Sequence, residues 1–338
     1  MTIITVADIG GFGDTTYTYD DMIEKVYRRV MSGQREAFVQ INNGGVVTDT
    51  VETFGISGSS AASVAPGNIL SVDFEMMYVL AFDQTNSIVT VERGYRGSRA
   101  AVHDDSTVCY VNPKYPKYDI GVAINDELRS LSSPTNGLGR IGSALITYNP
   151  VFQAYDLGDL PYGFIDILEI NYKTPFPDRR PRPIHKWRIV RNADTGYFPS
   201  GQSIVINEGG FPGQPIEIVY KAPYIPLMTS TDDPTFTPGA NESSAVRPYN
   251  GYGPVGTCVP NLSDTALDIP VLGAMIQLTI PREIARNFME SQPDPRKATE
   301  VPSLAISNSV QAMQILKERR ISEESDRQAR LYPHRRAW

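Results

Sequence analysis

Residues 68–131 read NILSVDFEMMYVLAFDQTNSIVTVERGYRGSRAAVHDDSTVCYVNPKYPKYDIGVAINDELRSL, and a change of hydrophobic period inside this stretch decides the fold. NILSVD, MMYVLAF, SIVTVERG and TVCYV are short runs rich in β-branched and aromatic residues, parted by turn formers such as DQTN. After Pro116 the period lengthens. Ile120, Ile124, Leu128 and Leu131 fall on one helical stripe, which stops at the SSPTNG breaker. Working back, FVQI and TVETFGI add two strand-like runs, with turns at NNGG, SGSS and APGN, so residues 37–116 are expected to form a small inserted antiparallel sheet or barrel. Further back, TYDDMIEKVYRRV places Ile23, Val26, Tyr27 and Val30 at i, i+3, i+4 and i+7, with Thr18 and Asp21 as a capping box. That predicts an amphipathic helix ending near Gly33 within an N-terminal segment of residues 1–36. Helix, β insert and helix then form one unit, to which residues 117–143 return.

Working forward, ALITYN, FIDILEINY, HKWRIV, SIVINE and PIEIVYKAPY alternate again, with turns at FPSG and GGFPG, and predict a second module, a β-sandwich, over residues 144–225. Residues 226–269 are crowded with Thr, Asp, Pro, Gly and Asn and read as an irregular connection. Residues 270–338 read as C-terminal helices and a docking tail. IPVLGAMIQLTIPREIARNFMES predicts two short helical pieces around Pro281. A longer helix follows, with an apolar stripe of Ile306, Val310, Met313 and Leu316 and almost only charged residues beyond it. The expected fold class is α+β: a helical unit with an inserted β-barrel or sheet, a β-sandwich and a C-terminal helical arm.

Composition narrows the function. A chain of 338 residues exceeds what one core comfortably organises. With 31 Lys and Arg against 38 Asp and Glu, the net charge of −7 disfavours wholesale binding to a phosphate backbone. Cys109 and Cys258 are far apart and His103, His185 and His334 are dispersed, so neither a disulfide scaffold nor a metal site is expected. No apolar run approaches the roughly 18 residues of a membrane span, and the first residues lack the pattern of a signal peptide. A soluble protein made in the cytoplasm, with no cofactor, is the expectation.

The candidate chemistry is thin. Gly10, Gly11 and Gly13 superficially resemble a dinucleotide loop, but Thr16 occupies the third glycine position and no strand–helix–strand unit follows. A phosphate-binding P-loop is excluded because no Gly-Lys dipeptide occurs. His103, Asp104 and Cys109 could be drawn as a nucleophile with its base, yet Cys109 lies between Val108 and Tyr110 and reads as a packing residue. Asp73 and Glu75, two apart on an expected strand, share a face as a glycosidase pair might; a solvated strand edge is the commoner meaning. His185 and Trp187 also share a side, where a sandwich-core Trp is the commoner case than a sugar platform. The N-x-S matches at Asn241 and Asn261 carry no weight in a cytoplasmic chain.

The tail is more informative. Residues 317–338 hold seven Lys or Arg against four Asp or Glu, and Arg319, Arg320, Arg327, Arg330, Arg335 and Arg336 precede Trp338. Arginines with a terminal aromatic form the composition of an interface anchor.

The 68–131 stretch resembles structural proteins of tailed bacteriophages, especially those of actinobacterial hosts, through Arg93, Gly94, Gly97, Ser98, Ala100 and His103, then Asn112, Pro113 and a helix. PIEIVYKAPY resembles a recurring strand of phage neck and connector proteins. In this motif the glycines permit tight turns, and Arg93 and His103 can tie the loop to adjacent backbone. The resemblance implies a non-enzymatic head-to-tail adaptor in the virion neck. Such a protein forms a homo-oligomeric, twelve-fold ring that joins the portal to a downstream neck or tail protein. DNA passes transiently through its channel, and no membrane is involved. Under this resemblance the anchors on the portal are Arg319, Arg320, Arg327, Arg330, Arg335, Arg336 and Trp338, while Arg93, Gly94, Gly97 and His103 are a structural turn motif. A tail hub or baseplate component is the alternative expectation, and a tail-associated cell-wall hydrolase a remoter one.

Overall fold

The computed structural model describes residues 19–31, 36–133, 135–152, 154–160, 165–173, 181–224, 266–290 and 305–331. Each of the six β-rich runs before Pro116 is a strand: β1 (Phe38–Ile41), β2 (Thr53–Ser57), β3 (Ile69–Val72), β4 (Glu75–Asp83), β5 (Ile88–Glu92) and β6 (Val108–Val111). They close into an antiparallel barrel in the order β1-β2-β5-β4-β3-β6, with β6 returning to β1. Alternation carries Val39, Ile41, Phe54, Ile56, Leu70, Val79, Val89, Val91 and Cys109 inward, where they fill the interior of this small barrel. It contains a packed core and no channel.

The turn between β3 and β4 corrects one expectation. Val72 pairs with Glu75, so Asp73 and Phe74 form a two-residue turn, with Asp73 at φ 49°. Asp73 is therefore a mostly exposed turn residue, its Oδ2 3.9 Å from Nδ1 of His103, while Glu75 opens β4, is buried and meets Nε2 of the same ring at 2.8 Å, so the two are not alternate residues of one strand. Nor is Glu75 at a solvated strand edge.

The barrel is inserted between α1 (Tyr19–Met31) and α2 (Lys117–Leu131). Met22, Ile23 and Val26 of α1 and Ile120, Ile124 and Leu128 of α2 share one core with Ile269, Val271 and Ala274 of α3 (Asp268–Glu290). α3 runs as one 23-residue helix through Pro281, not as two short pieces. Proline removes a single backbone bond, and the packed residues before it hold the helix in register.

The second module contains β7 (Arg140–Thr147), β8 (Ala154–Asp156), β9 (Asp166–Tyr172), β10 (Arg182–Pro183), β11 (Trp187–Val190), β12 (Ser203–Ile206) and β13 (Pro215–Ala222). A four-stranded sheet, β10-β9-β13-β7, faces a three-stranded sheet, β11-β12-β8. Ile170, Tyr172, Ile204, Ile206, Ile216, Ile218 and Tyr220 form the core between them. The fold is thus α+β, with two separate β cores beside a helical one.

α4 (Ala305–Leu331) lies against α3. Of its expected apolar stripe Val310 is buried and Met313 partly covered, whereas Leu316 is exposed, so the stripe docks only the first half of the helix. The inward face continues past Leu316 with Lys317, Arg320 and Ile321 partly covered and Glu324 and Gln328 buried. Polar residues take these positions because partners wait on α2, α3 and the end of β13. Among the described residues, no helix is long and apolar enough to cross a membrane.

Candidate functional site

Arg93, Gly94, Gly97, Ser98 and His103 gather at one edge of the barrel. Gly94 (φ 65°) and Gly97 (φ 83°) adopt left-handed backbone, so the chain leaving β5 turns at once, and Arg96 between them is also left-handed. A methyl group on Gly94 would crowd the carbonyl of Ser98. The turn lets Ser98 reach back to β4, where its hydroxyl accepts from Met76 N at 2.9 Å and donates to Tyr95 O at 2.9 Å. Tyr118 of α2 donates to Gly97 O at 2.8 Å, fixing the turn to the helical unit.

Beneath the turn, Arg93 grips Glu75. Nε donates to Oε1 at 2.6 Å and Nη2 to Oε2 at 2.7 Å, a bidentate pair with side chains 6% and 0% exposed. The other three guanidinium hydrogens go to Thr48 O at 2.9 Å, Val51 O at 2.8 Å and Ala101 O at 2.6 Å. All five donors are engaged.

Glu75 also accepts from Gly94 N at 3.3 Å, Ala101 N at 3.0 Å and His103 Nε2 at 2.8 Å. His103 is a donor here because an ionised carboxylate only accepts, and its backbone bridges Val47 in both directions. Burial alone would raise the Glu75 carboxyl, but the bonds from Arg93, His103 and Ala101 outweigh it and hold the group at about 2. The end of β5, the 101–103 loop and, through Arg93 and His103, the 47–51 loop are thereby drawn onto one anion on β4. Its oxygens face protein donors, which suits the cluster to holding backbone and not to exchanging protons with a ligand.

The remaining candidates scatter. Cys109 points into the barrel core, and burial, with a smaller effect from Asp73, pushes its thiol up to about 12, so it is no nucleophile. Asp104 does not join it. Trp187 is partly buried against the sandwich core, whereas His185 is exposed and is held by its backbone N–H to Glu208 Oε2 at 2.9 Å. No group of His, Cys, Asp and Glu among the described residues is arranged to hold a metal ion. Gly10, Gly11, Gly13, Asn241 and Asn261 lie outside the described residues.

The arginine arm is split. Arg320 bonds Asp268 of α3 at 3.2 Å and Glu323 at 2.8 Å and so serves the docking of α4, while Arg327 clasps Glu324 of its own helix at 2.6 and 2.7 Å. Arg319 is mostly exposed and pairs within the helix to Glu323 at 3.0 Å, and Arg330 is exposed in the last turn. Arg335, Arg336 and Trp338 lie outside the described residues.

Sequence reasoning missed a polar junction. Lys317 Nζ lies 2.6 Å from Glu127 Oε1 of α2, and Gln328 donates to Tyr224 OH at 3.3 Å just after β13. Tyr224 N in turn donates to Ser132 Oγ at 2.7 Å beyond α2, and Lys221 donates to Gly137 O at 2.8 Å. α4 thus joins the helical unit to the sandwich. A break in its apolar stripe at Lys317, followed by polar residues at helical spacing, is the only signal in the sequence. No protein-family model matches the chain, and no match is found among curated proteins.

Proposed function

We propose that this protein is a structural component of a phage virion, a head-to-tail adaptor whose copies form a ring at the neck and let DNA pass. The observation that carries the reading is the Arg93–Glu75–His103 cluster: the residues on which the phage resemblance rests satisfy one another and nearby backbone, as an architectural motif would. The division of labour fits as well. A helical unit supports two β modules with separate cores, and α4 presents Arg319 and Arg330 outward. In this reading the outward arginines, with Arg335, Arg336 and Trp338, meet carboxylates of the portal. The net charge of −7 suits a channel through which DNA slides without being held.

The test is the symmetry of the assembled particle by electron microscopy, together with portal binding. A ring of twelve is expected, with binding lost in an Arg319→Glu/Arg330→Glu variant truncated after Leu331. Three- or six-fold symmetry would transfer the protein to the tail hub or baseplate. Portal binding untouched by that variant would remove the arm from the interface.

A further inference from the structure

Two ends of the molecule combine exposed apolar side chains with opposite signs of charge. At the sandwich, the β7–β8 and β12–β13 loops meet: Tyr148 N donates to Gln214 O at 2.8 Å and Gly213 N to Tyr148 O at 3.0 Å. The end of β9, β10 and the start of β11 arrive at the same place. Lys173 N donates to Pro215 O at 2.9 Å, Arg182 pairs with Tyr172, and Asn207 N donates to Lys186 O at 2.7 Å. Val151, Phe152 and Phe211 stand exposed on the two loops, Phe211 by 76%, and Lys173, Arg182 and Lys186 are exposed on the segments beside them. The one carboxylate among the described residues of these segments, Glu208, is already engaged by Arg182 Nη2 at 3.4 Å and His185 N at 2.9 Å. At the barrel, the β1–β2 loop and the 100–107 loop meet through the bridge between Val47 and His103. Both of those are buried, so alternation turns Val46, Val102 and Asp104 outward, and all three are exposed. Asp49, Glu52 and Asp105 are exposed on the same loops, and residues 42–53 and 100–107 contain no Lys or Arg. Arg93 holds both loops through the carbonyls of Thr48, Val51 and Ala101, so this acidic end is formed in advance of any partner.

We propose that the basic end of the sandwich in one copy docks on the acidic end of the barrel in the next, a head-to-tail contact between two copies of this chain. Apolar side chains meet apolar side chains and the charges are opposite, whereas either end set against itself would oppose like charges. That disfavours a two-fold contact and favours a heterologous one, which closes into a ring where the rotation between copies permits. Each copy must then present both ends at once, and the exposure of Val151, Phe211, Val46 and Val102 shows that neither end is spent on the other. Duplex DNA is the competing occupant of the basic end. The net charge of −7 opposes it, and Val151, Phe152 and Phe211 find no counterpart on a phosphate backbone, while Val46 and Val102 offer them one. The inference rests on the adaptor reading only for closure into a ring; the contact itself does not depend on it.

Sedimentation velocity of the full chain at low salt tests it. Concentration-dependent association is expected, weakening as salt rises. Lys173→Glu/Lys186→Glu makes the sandwich end acidic, and Asp49→Lys/Asp104→Lys makes the barrel end basic. Each double variant alone should raise the dissociation constant at least about tenfold. Mixed in equal amounts, the two present opposite charges at every contact, native at one and reversed at the next, so association should return, and that recovery also shows that both variants are folded. A parent chain that stays monomeric at every concentration, or variants that associate normally alone or are not restored by mixing, overturns the proposal. So does a parent chain that binds duplex DNA through Lys173 and Lys186 without associating with itself. The ring is judged separately. Restored association without a twelve-fold particle keeps this contact and removes the neck reading, whereas a ring of twelve formed by either variant alone keeps the ring and removes this contact.

Discussion

Gly273 of α3 faces the side chain of Glu127 of α2 so closely that a methyl group on the glycine would overlap the carboxylate and its stem. Glycine inside a helix normally costs up to about 1 kcal/mol relative to alanine. Here the contact reverses the sign: Gly273→Ala should destabilise by about 1–3 kcal/mol, since overpacking must push α2 and α3 apart. Urea unfolding measures it. Pairing the change with Glu127→Ala should give a double-mutant coupling, because the smaller side chain makes room. An alanine at 273 that leaves stability unchanged or higher would refute the close approach.

Arg93→Lys retains the charge and loses the geometry. One ammonium cannot supply two parallel bonds to Glu75 and three more to Thr48, Val51 and Ala101. A cost of about 3 kcal/mol is expected, within the range for damaging a buried ion pair. In hydrogen exchange the loss should show first in the 93–103 turn and the 48–51 loop. Protection kept in both segments would argue that the barrel does not depend on this clasp.

Glu75 also sets a pH dependence. Its carboxyl is held at about 2 in the folded chain against an ordinary 4.5. A depressed folded value means that the stabilisation is complete above about 4.5 and is lost as pH falls toward 2. The gap corresponds to about 3 kcal/mol. Glu75→Gln should lower stability at neutral pH and flatten the acid limb relative to the parent chain. Exposed carboxylates held low, such as Asp83 and Glu323, contribute alike to both proteins, so the difference curve isolates Glu75. Two parallel curves from neutral pH down to pH 2 would contradict the assignment.

The barrel was legible in the sequence because β1, β2, β5 and β6 alternate between buried and outward residues, as in FVQI and SIVTVERG, and β3 and β4 are short apolar runs bounded by turn formers. The sandwich was legible for the same reason, except at β8 and β10, which are three and two residues long and too short to show a period. Glu75 was misread because a two-residue turn at Asp73–Phe74 ends the alternation, and only the pairing of Val72 with Glu75 reveals it. Arg93, Gly94, Gly97 and His103 were visible as a motif, but the partner shared by Arg93, Gly94 and His103 lies 18 to 28 residues upstream. Hydrophobic periodicity is blind to a polar interior, so the inward face of α4 escaped as well.

That polar face makes the arm more than an appendage. Deleting residues 317–338 would remove the Lys317 ammonium from Glu127, the Arg320 guanidinium from Asp268 and the Gln328 amide from Tyr224. Glu127, 2% exposed beneath α4, would then lose both its cover and its cation. Losing these contacts together with the cover of the helical core should make this deletion melt well below the full chain and not survive as an intact fold lacking only its docking tail. Truncation after Leu331 keeps every one of those contacts and should leave the melting curve in place. Lys317→Met separates the charge from the rest: with α4 still covering Glu127 it strands the carboxylate and should lower stability by about 3–5 kcal/mol. Far-UV circular dichroism melts of the three variants decide the matter, and equal melting temperatures for both truncations would show that α4 is not part of the helical core.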